Sequence, residues 1–148
     1  MADPTADPAV SVCFKVKIDA HDLGAFTSCE GLGCEVTLEQ REEGGNNGFV
    51  YQLPGRIKYS NVKLTRAVTS DGTRLVAQWF AKMAKHGIER TTAHIVAMTA
   101  DEEEIWEWTL SDVIPVRWQG PSLSAESPKV ATETLELAHH GFLLPAVG

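Results

Sequence analysis

Apolar and polar positions alternate from the start of the chain's patterned region. Val10, Val12, Phe14, Val16 and Ile18 face one way, while Ser11, Cys13, Lys15 and Lys17 face the other. A period of two places one apolar face on a half-buried strand. Asp19 to Gly24 reads as a turn and Ala25 to Glu30 as a short strand. Cys34, Val36 and Leu38 then alternate with Glu35, Thr37 and Glu39, which predicts another strand. That strand runs into a polar stretch, Arg41-Glu42-Glu43-Gly44-Gly45-Asn46-Asn47-Gly48, which breaks through Leu53-Pro54-Gly55 into a further strand from Ile57 to Arg66. Glycine permits positive φ and asparagine tolerates it, so this stretch can travel outward without an apolar anchor. Loop and strand together predict a long hairpin. Ile57 and Tyr59 have one parity and Val62, Leu64 and Arg66 the other, so a bulge or bend near Ser60-Asn61 must re-aim the face.

One segment breaks the period of two. Val76, Trp79, Phe80 and Met83 fall at i, i+3, i+4 and i+7, with Ser70 or Asp71 as a cap and Lys82, Lys85, His86 and Gly87 suited to the end. This predicts one helix, which plugs an end or face of the sheet with its two aromatics. Thr92 to Thr99 and Glu104 to Leu110 read as a second hairpin turned through Ala100-Asp101-Glu102-Glu103. Val113 to Trp118 and Lys129 to His139 supply the last strands, and Ser/Pro-rich Gly120 to Pro128 is a loop between them. Strands, one helix, then strands predict a mainly β protein: an antiparallel β-sandwich or barrel with one α-helix packed against it.

Composition narrows the class. A chain of 148 residues is one domain by the usual prior and buries about two-thirds of its unfolded surface. Residues 1–9 read as a flexible N-terminal arm and 10–148 as the single β domain. The arm is acidic and Pro-containing, unlike a secretory signal. No apolar run approaches the roughly 18 residues of a membrane helix, so no membrane anchor is expected. The net charge of −7 opposes a grip on phosphate backbones. In a channel, an acidic wall would repel a polyanion in transit. Cys13, Cys29 and Cys34, odd in number, favour reduced thiols in a cytoplasmic compartment.

Candidate chemistry is sparse. His139-His140 beside Glu133 and Glu136 suggests a metal site, but adjacent residues on a strand point to opposite faces and cannot easily share an ion. Asp101 to Glu104 lacks the spaced oxygens and glycine of a calcium loop. Ser28, Ser60 and Ser70 have no nucleophile-elbow setting, and His21, His86 and His94 have no recognisable acid partner. Gly31-Leu32-Gly33 is a turn rather than a phosphate loop. Trp106, Trp108 and Trp118 with Trp79 offer a stacking platform, yet Trp106 and Trp108 share a face that Leu110 extends, which points to core contacts. No enzyme, cofactor or metal is expected.

Two separated blocks, Arg41 to Arg66 and Pro115 to Phe142, carry a resemblance. The ordered series FxVxI, CEGL, REEGG, LPGRIKYSNVKLTR, WxL, PVRWQGPSLSAE and VATETLELAHHGF resembles the tail-tube proteins of contractile-tail bacteriophages and extracellular contractile injection systems, over about Val10 to Phe142. Ala67 stands where that family usually has Gly, and His140 where an acidic residue is more usual. The resemblance implies hexameric rings stacked into an inner tube, with strands of several copies joining in one barrel and a sheath whose contraction drives the tube through a target envelope. Implied partners are further copies, a sheath protein, baseplate or spike and tube-terminator proteins, with a cargo effector or DNA in the lumen unbound. The implied location is cytoplasmic at synthesis and assembly, then within a virion or injection particle. By motif, contacts between subunits and rings fall on Arg41, Glu42, Glu43, Gly44, Gly45, Asn46, Asn47, Leu53, Pro54 and Gly55, with Arg56, Lys58, Lys63 and Arg66 as candidates for charge pairs. A tube-initiating baseplate paralogue or type VI-like ring is the near alternative. A small-ligand-binding β-barrel using the tryptophans is the distant one.

Overall fold

The computed structural model describes residues 12–19, 21–41, 51–121 and 131–143. Ten strands and one helix follow in chain order: β1 (Cys13–Ile18), β2 (His21–Phe26), β3 (Ser28–Glu30), β4 (Cys34–Arg41), β5 (Tyr51–Tyr59), β6 (Val62–Ala67), α1 (Ser70–His86), β7 (Thr91–Met98), β8 (Glu104–Gln119), β9 (Thr132–Ala138) and β10 (Phe142–Leu143). All pairings are antiparallel. The alternation that begins the chain does form β1, with Val16 and Ile18 fully buried. The segment read as a turn from Asp19 to Gly24 is mostly strand. Asp19 turns the chain in the left-handed region, and β2 pairs back on β1 from His21.

The main sheet runs β2-β1-β7-β8-β9-β6-β3, with β10 on β8. The long strand β8 serves two halves of it. Glu104 to Val113 pairs with β7, and Ile114 to Gln119 pairs with β9. Asp112, at positive φ, lies where the first pairing gives way to the second. The halves enclose one core: Val16, Ile18, Leu23, Phe26, Ala93, Ile95 and Leu110 from the first, Val62, Leu64, Leu135 and Leu137 from the second. Each of these Val, Leu, Ile and Phe side chains stabilises the fold by about 1.5–3 kcal/mol through removal from water. The path ends in β2 and β3 without joining them, so the arrangement is an open sandwich and no closed barrel.

Helix α1 is capped by Thr69 rather than Ser70 or Asp71, because Thr69 is extended and its Oγ1 accepts the Gly72 N–H at 3.1 Å. At the other end the Gly87 N–H bonds Met83 O at 2.8 Å. Val76 and Trp79 enter the core, and the helix lies against β2. Phe80 packs edge-on to Trp79 and against Trp118. The tryptophan face of β8 is as expected, with Trp108 against the core, but Trp106 at its end is 53% exposed.

The long hairpin predicted up to Arg66 is interrupted. Strand β5 stops at Tyr59, and after Ser60-Asn61 the chain enters β6 in the main sheet. The parity change in the sequence is the mark of that break. Strands β4 and β5 form a separate two-stranded sheet.

Candidate assembly surface

The β4–β5 arm is built around one irregularity. Cys34 faces Tyr59, Glu35 faces Lys58 and Val36 faces Ile57; beyond a register shift, Leu38 faces Pro54 and Glu39 faces Leu53. Thr37 fills the shift. Its Oγ1 donates to Arg56 O at 3.1 Å and accepts the Arg56 N–H at 3.0 Å. Gly55 sits directly over it, where a Cβ would lie 2.5 Å from Thr37 Oγ1, so no other residue fits without movement. The register shift keeps Cys34, Val36, Leu38, Pro54, Ile57 and Tyr59 on one face.

Beyond Tyr59 that face is apolar and about half exposed. Val36 is 47% exposed, Leu38 56% and Ile57 55%, with Leu53 on the other face at 39%. An isolated two-stranded hairpin is at best marginally stable in water, so the arm needs an anchor or a cover. The anchor is at its base. The Tyr59 ring packs at 5.5 Å on His139 and 5.8 Å on Phe142, and the His139 and Phe142 rings lie 5.1 Å apart. His139 Nδ1 accepts the Gly141 N–H at 3.1 Å, while its buried Nε2 has no partner. Burial holds this imidazole below its usual pKa.

The candidate contacts part into three groups. Leu53, Pro54, Gly55, Arg56 and Lys58 sit together on the exposed arm, with Lys58 opposite Glu35. Glu42, Glu43, Gly44, Gly45, Asn46 and Asn47 lie outside the described residues, and of Arg41 only the backbone, at the end of β4, is described. Arg66 is a correction: it is 5% exposed and committed inside the subunit. Its Nε donates to Glu133 Oε1 at 2.6 Å, Nη2 to Gly72 O at 2.6 Å, and Nη1 to Leu23 O. Its guanidinium lies 4.1 Å from the Phe26 ring centroid. Glu133 Oε2 accepts Trp118 Nε1–H at 3.0 Å and Thr73 Oγ1–H at 3.2 Å. A buried pair persists only when its remaining donors and acceptors are met, and here β2, β6, β8, β9 and α1 all contribute. The sequence held the signal: Arg66 continues the core parity of Val62 and Leu64, and Glu133 that of Leu135 and Leu137.

The remaining candidate chemistry is dispersed. His139 is buried while His140 is exposed, 3.6 Å from Asp112 and 3.1 Å from Arg90 Nη1. Glu133 is tied to Arg66, and Glu136 Oε1 accepts from Asn61 Nδ2 at 3.2 Å. His94, expected without an acid partner, does have one, Glu107 at 2.9 Å, with both side chains exposed and no nucleophile aligned beyond Thr109 Oγ1 at 3.3 Å. Burial, with Glu30 alongside, pushes the Cys29 thiol up to about 12, which makes it inert. No helix among the described residues is long and apolar enough to cross a membrane.

Residues 10–143 match the model of the T4-like virus tail tube protein gp19 family. A chain in the cryo-EM structure of the anti-feeding prophage baseplate superposes with a TM-score of 0.75 at 24% identity, over 97% of this chain and 96% of that one. A chain in the extended sheath-tube complex of the PVC extracellular contractile injection system gives 0.75 at 21%, over 97% and 94%. Hcp1 from Salmonella typhimurium is more distant, at 0.53 and 17% over 88% and 83%. At these identities the likeness is one of fold. No curated protein matches the chain in sequence.

Proposed function

The chain belongs to the T4-like virus tail tube protein family, a structural tail-tube subunit and not an enzyme, and from that premise we propose that it assembles as hexameric rings stacked into a hollow inner tube. The observation that carries this reading is the arm: an apolar row of Val36, Leu38 and Ile57 that its own subunit leaves uncovered. Head-to-tail contacts that close about an axis make a ring, and complementary ring faces make a stack. In this reading the arm lies on a neighbouring copy, with Arg41 to Gly55 reaching between subunits and rings. Arg56 and Lys58 on the arm, and Lys63 on β6, are the charge-pairing candidates.

The tube so formed is a passive conduit. A surrounding sheath contracts and drives it through a target envelope, with cargo effector or DNA passing unbound. The PVC neighbour comes from a sheath-tube complex, and others from a baseplate and from terminating caps, which supports sheath, baseplate or spike and terminator partners. Synthesis and assembly take place in the cytoplasm before incorporation into the particle.

Negative-stain electron microscopy of the purified chain, with native mass spectrometry across concentrations, tests this. Rings of six or stacked tubes are expected. Deleting Gly44 to Gly48 is expected to leave a folded subunit that no longer polymerises. A strict monomer at every concentration, unchanged by a baseplate extract, would sink the reading.

A further inference from the structure

The arm's hold on the body centres on one ring. Strands β4 and β5 have no strand partner in the main sheet, and among the described residues the ring contacts between arm and body all fall on Tyr59. Tyr59 is half-buried, while the described side chains of β5 before it are exposed. Two residues on, the chain already belongs to the body: a Cβ on Gly31 would meet Asn61 O at 2.1 Å, and Asn61 Nδ2 donates to Glu136 Oε1 at 3.2 Å. Ser60 is left as the pivot on this side. The chain's other crossing, from β3 to β4, contains Gly31 at positive φ and Gly33 with open space where a side chain would lie, so it can follow a swing.

The clamp on that ring comes from His139, Gly141 and Phe142. The His139 and Phe142 rings pack on it, and Gly141, at φ 134°, lies so close that a Cβ would sit 3.1 Å from Tyr59 Cζ. Strand β8 fixes the clamp itself: His140 N–H donates to Ser111 O and Ser111 N–H to Gly141 O, each at 2.9 Å. His139 is the member of the clamp that can change charge. Its Nδ1 accepts the Gly141 N–H, so the proton of the neutral ring sits on Nε2, which is buried and unpartnered. A second proton must go to Nδ1, where it would face the Gly141 N–H. The residue is 6% exposed, so the new charge also lacks water. Either the ring turns or its segment shifts, and Tyr59 loses its seat in both cases.

We propose that His139 is a proton-operated latch: neutral, it holds Tyr59 and sets the angle of the arm; protonated, it releases the ring and the arm swings about Ser60. The latch is a property of the subunit alone and does not depend on the tube reading. Burial lowers the pKa of the imidazole, outweighing the backbone groups of Gly141 and Ser60 beside it, and the charge of His140 adds to the lowering. His140 is itself flanked by Asp112 of β8 and by Arg90. The cleft lined by Tyr59, Ser60 and Asn61 carries Lys58, Lys63, Glu30 and Glu136, two of each sign. Only the two histidines among these groups are of a type that titrates between about pH 5 and 7. The latch is therefore shut at neutral pH, and below about 6.5 each pH unit multiplies the ratio of released to held arms by up to about tenfold. Because the arm bears Val36, Leu38 and Ile57, acid changes the direction in which that row is presented to a partner.

NMR of the full chain as free subunits, labelled with carbon-13 in its tyrosine and histidine rings, tests this. The chain has two tyrosines, so Tyr51→Phe assigns the signal of Tyr59. Between about pH 7.5 and 5 the Tyr59 signal is expected to move to the position of a solvated ring, sharing its midpoint with one histidine that titrates below the usual range. His139→Phe keeps an aromatic clamp without the proton and is expected to hold Tyr59 still at both pH limits. His140→Asn is expected to leave the movement in place. A Tyr59 signal that ignores pH in the wild type, one that still moves in His139→Phe, or movement abolished by His140→Asn overturns the latch. If His139→Phe does not fold, the wild type decides. A midpoint shared by Tyr59 and a histidine while the indole N–H signals of Trp79 and Trp118 stay intact supports the latch. A Tyr59 midpoint matched by no histidine, or reached only as those indole signals collapse, refutes it.

Discussion

The arm and the α1 end of the body treat unlike groups in opposite ways. In the body, a guanidinium and a carboxylate are buried, and each guanidinium nitrogen and both carboxylate oxygens are met by β2, β8, α1 or the partner charge. In the arm, the apolar side chains Val36, Leu38 and Ile57 are about half exposed. The body is complete by itself, and its least soluble groups have been satisfied internally. The arm is incomplete, and its apolar surface calls for a second copy. A subunit must be stable before it assembles, yet must keep surface whose burial is deferred until it does.

The contrast can be broken most severely at Glu133. Glu133→Ala leaves Arg66 charged and unpaired in the core, and about 3–5 kcal/mol of stability is expected to be lost in urea unfolding. A loss below about 1 kcal/mol would mean that the guanidinium escapes to water. Next is Gly72→Ala. In an ordinary helix interior this change is stabilising by up to about 1 kcal/mol. Here the new Cβ would lie 2.9 Å from Arg66 Cζ and 2.9 Å from Thr69 Oγ1. The sign is therefore expected to reverse, to a loss of about 1–3 kcal/mol, with a lower thermal midpoint as the readout.

The junction between the two regions is sharpened by pH. His139 lies under Tyr59 with Phe142 beside it, its neighbour His140 is charged when protonated, and Asp112 and Arg90 lie around His140. Burial favours the neutral ring, so the unfolded chain binds the proton more readily than the folded one. Stability is thus complete above a pH of about 6.5 and falls as pH drops below it, by at most about 1.4 kcal/mol per pH unit from this group. His139→Phe is expected to flatten that part of the profile, read from denaturation midpoints at pH values above and below about 6.5.

The smallest effect on the subunit is expected at Ile57→Asp. On an exposed face, unfolding should shift by no more than about 0.5 kcal/mol. Ring and tube formation should be lost all the same, as seen by electron microscopy. If the subunit itself unfolds, the arm is part of the body's stability and the two are one folding unit.

Local pattern carried far in this chain. The period of two located β1 and β4, because an antiparallel strand with one buried face cannot help but alternate, and β7 and the start of β8 were legible as a hairpin. The period of 3.6 located α1 for the same reason, and the parity change at Ser60-Asn61 marked where the arm leaves the body. The family resemblance was legible because it rests on two blocks, Arg41 to Arg66 and Pro115 to Phe142, that stand in order along the chain.

Other features needed the fold. Arg66 reads in sequence as one cation in a series with Arg56, Lys58 and Lys63; its parity with Val62 and Leu64 marks the core side, but the partners that hold it there, Glu133, Leu23 and Gly72, are brought near only by the fold. Which edges of the sheet stay open depends on where α1 and β10 come to rest, and those are contacts between distant segments. The sequence by itself determined which faces are apolar, since that follows from residues close together along it. The tertiary structure alone decided which charges are buried and which edges and apolar rows are left uncovered, because burial and pairing depend on what the rest of the chain brings near.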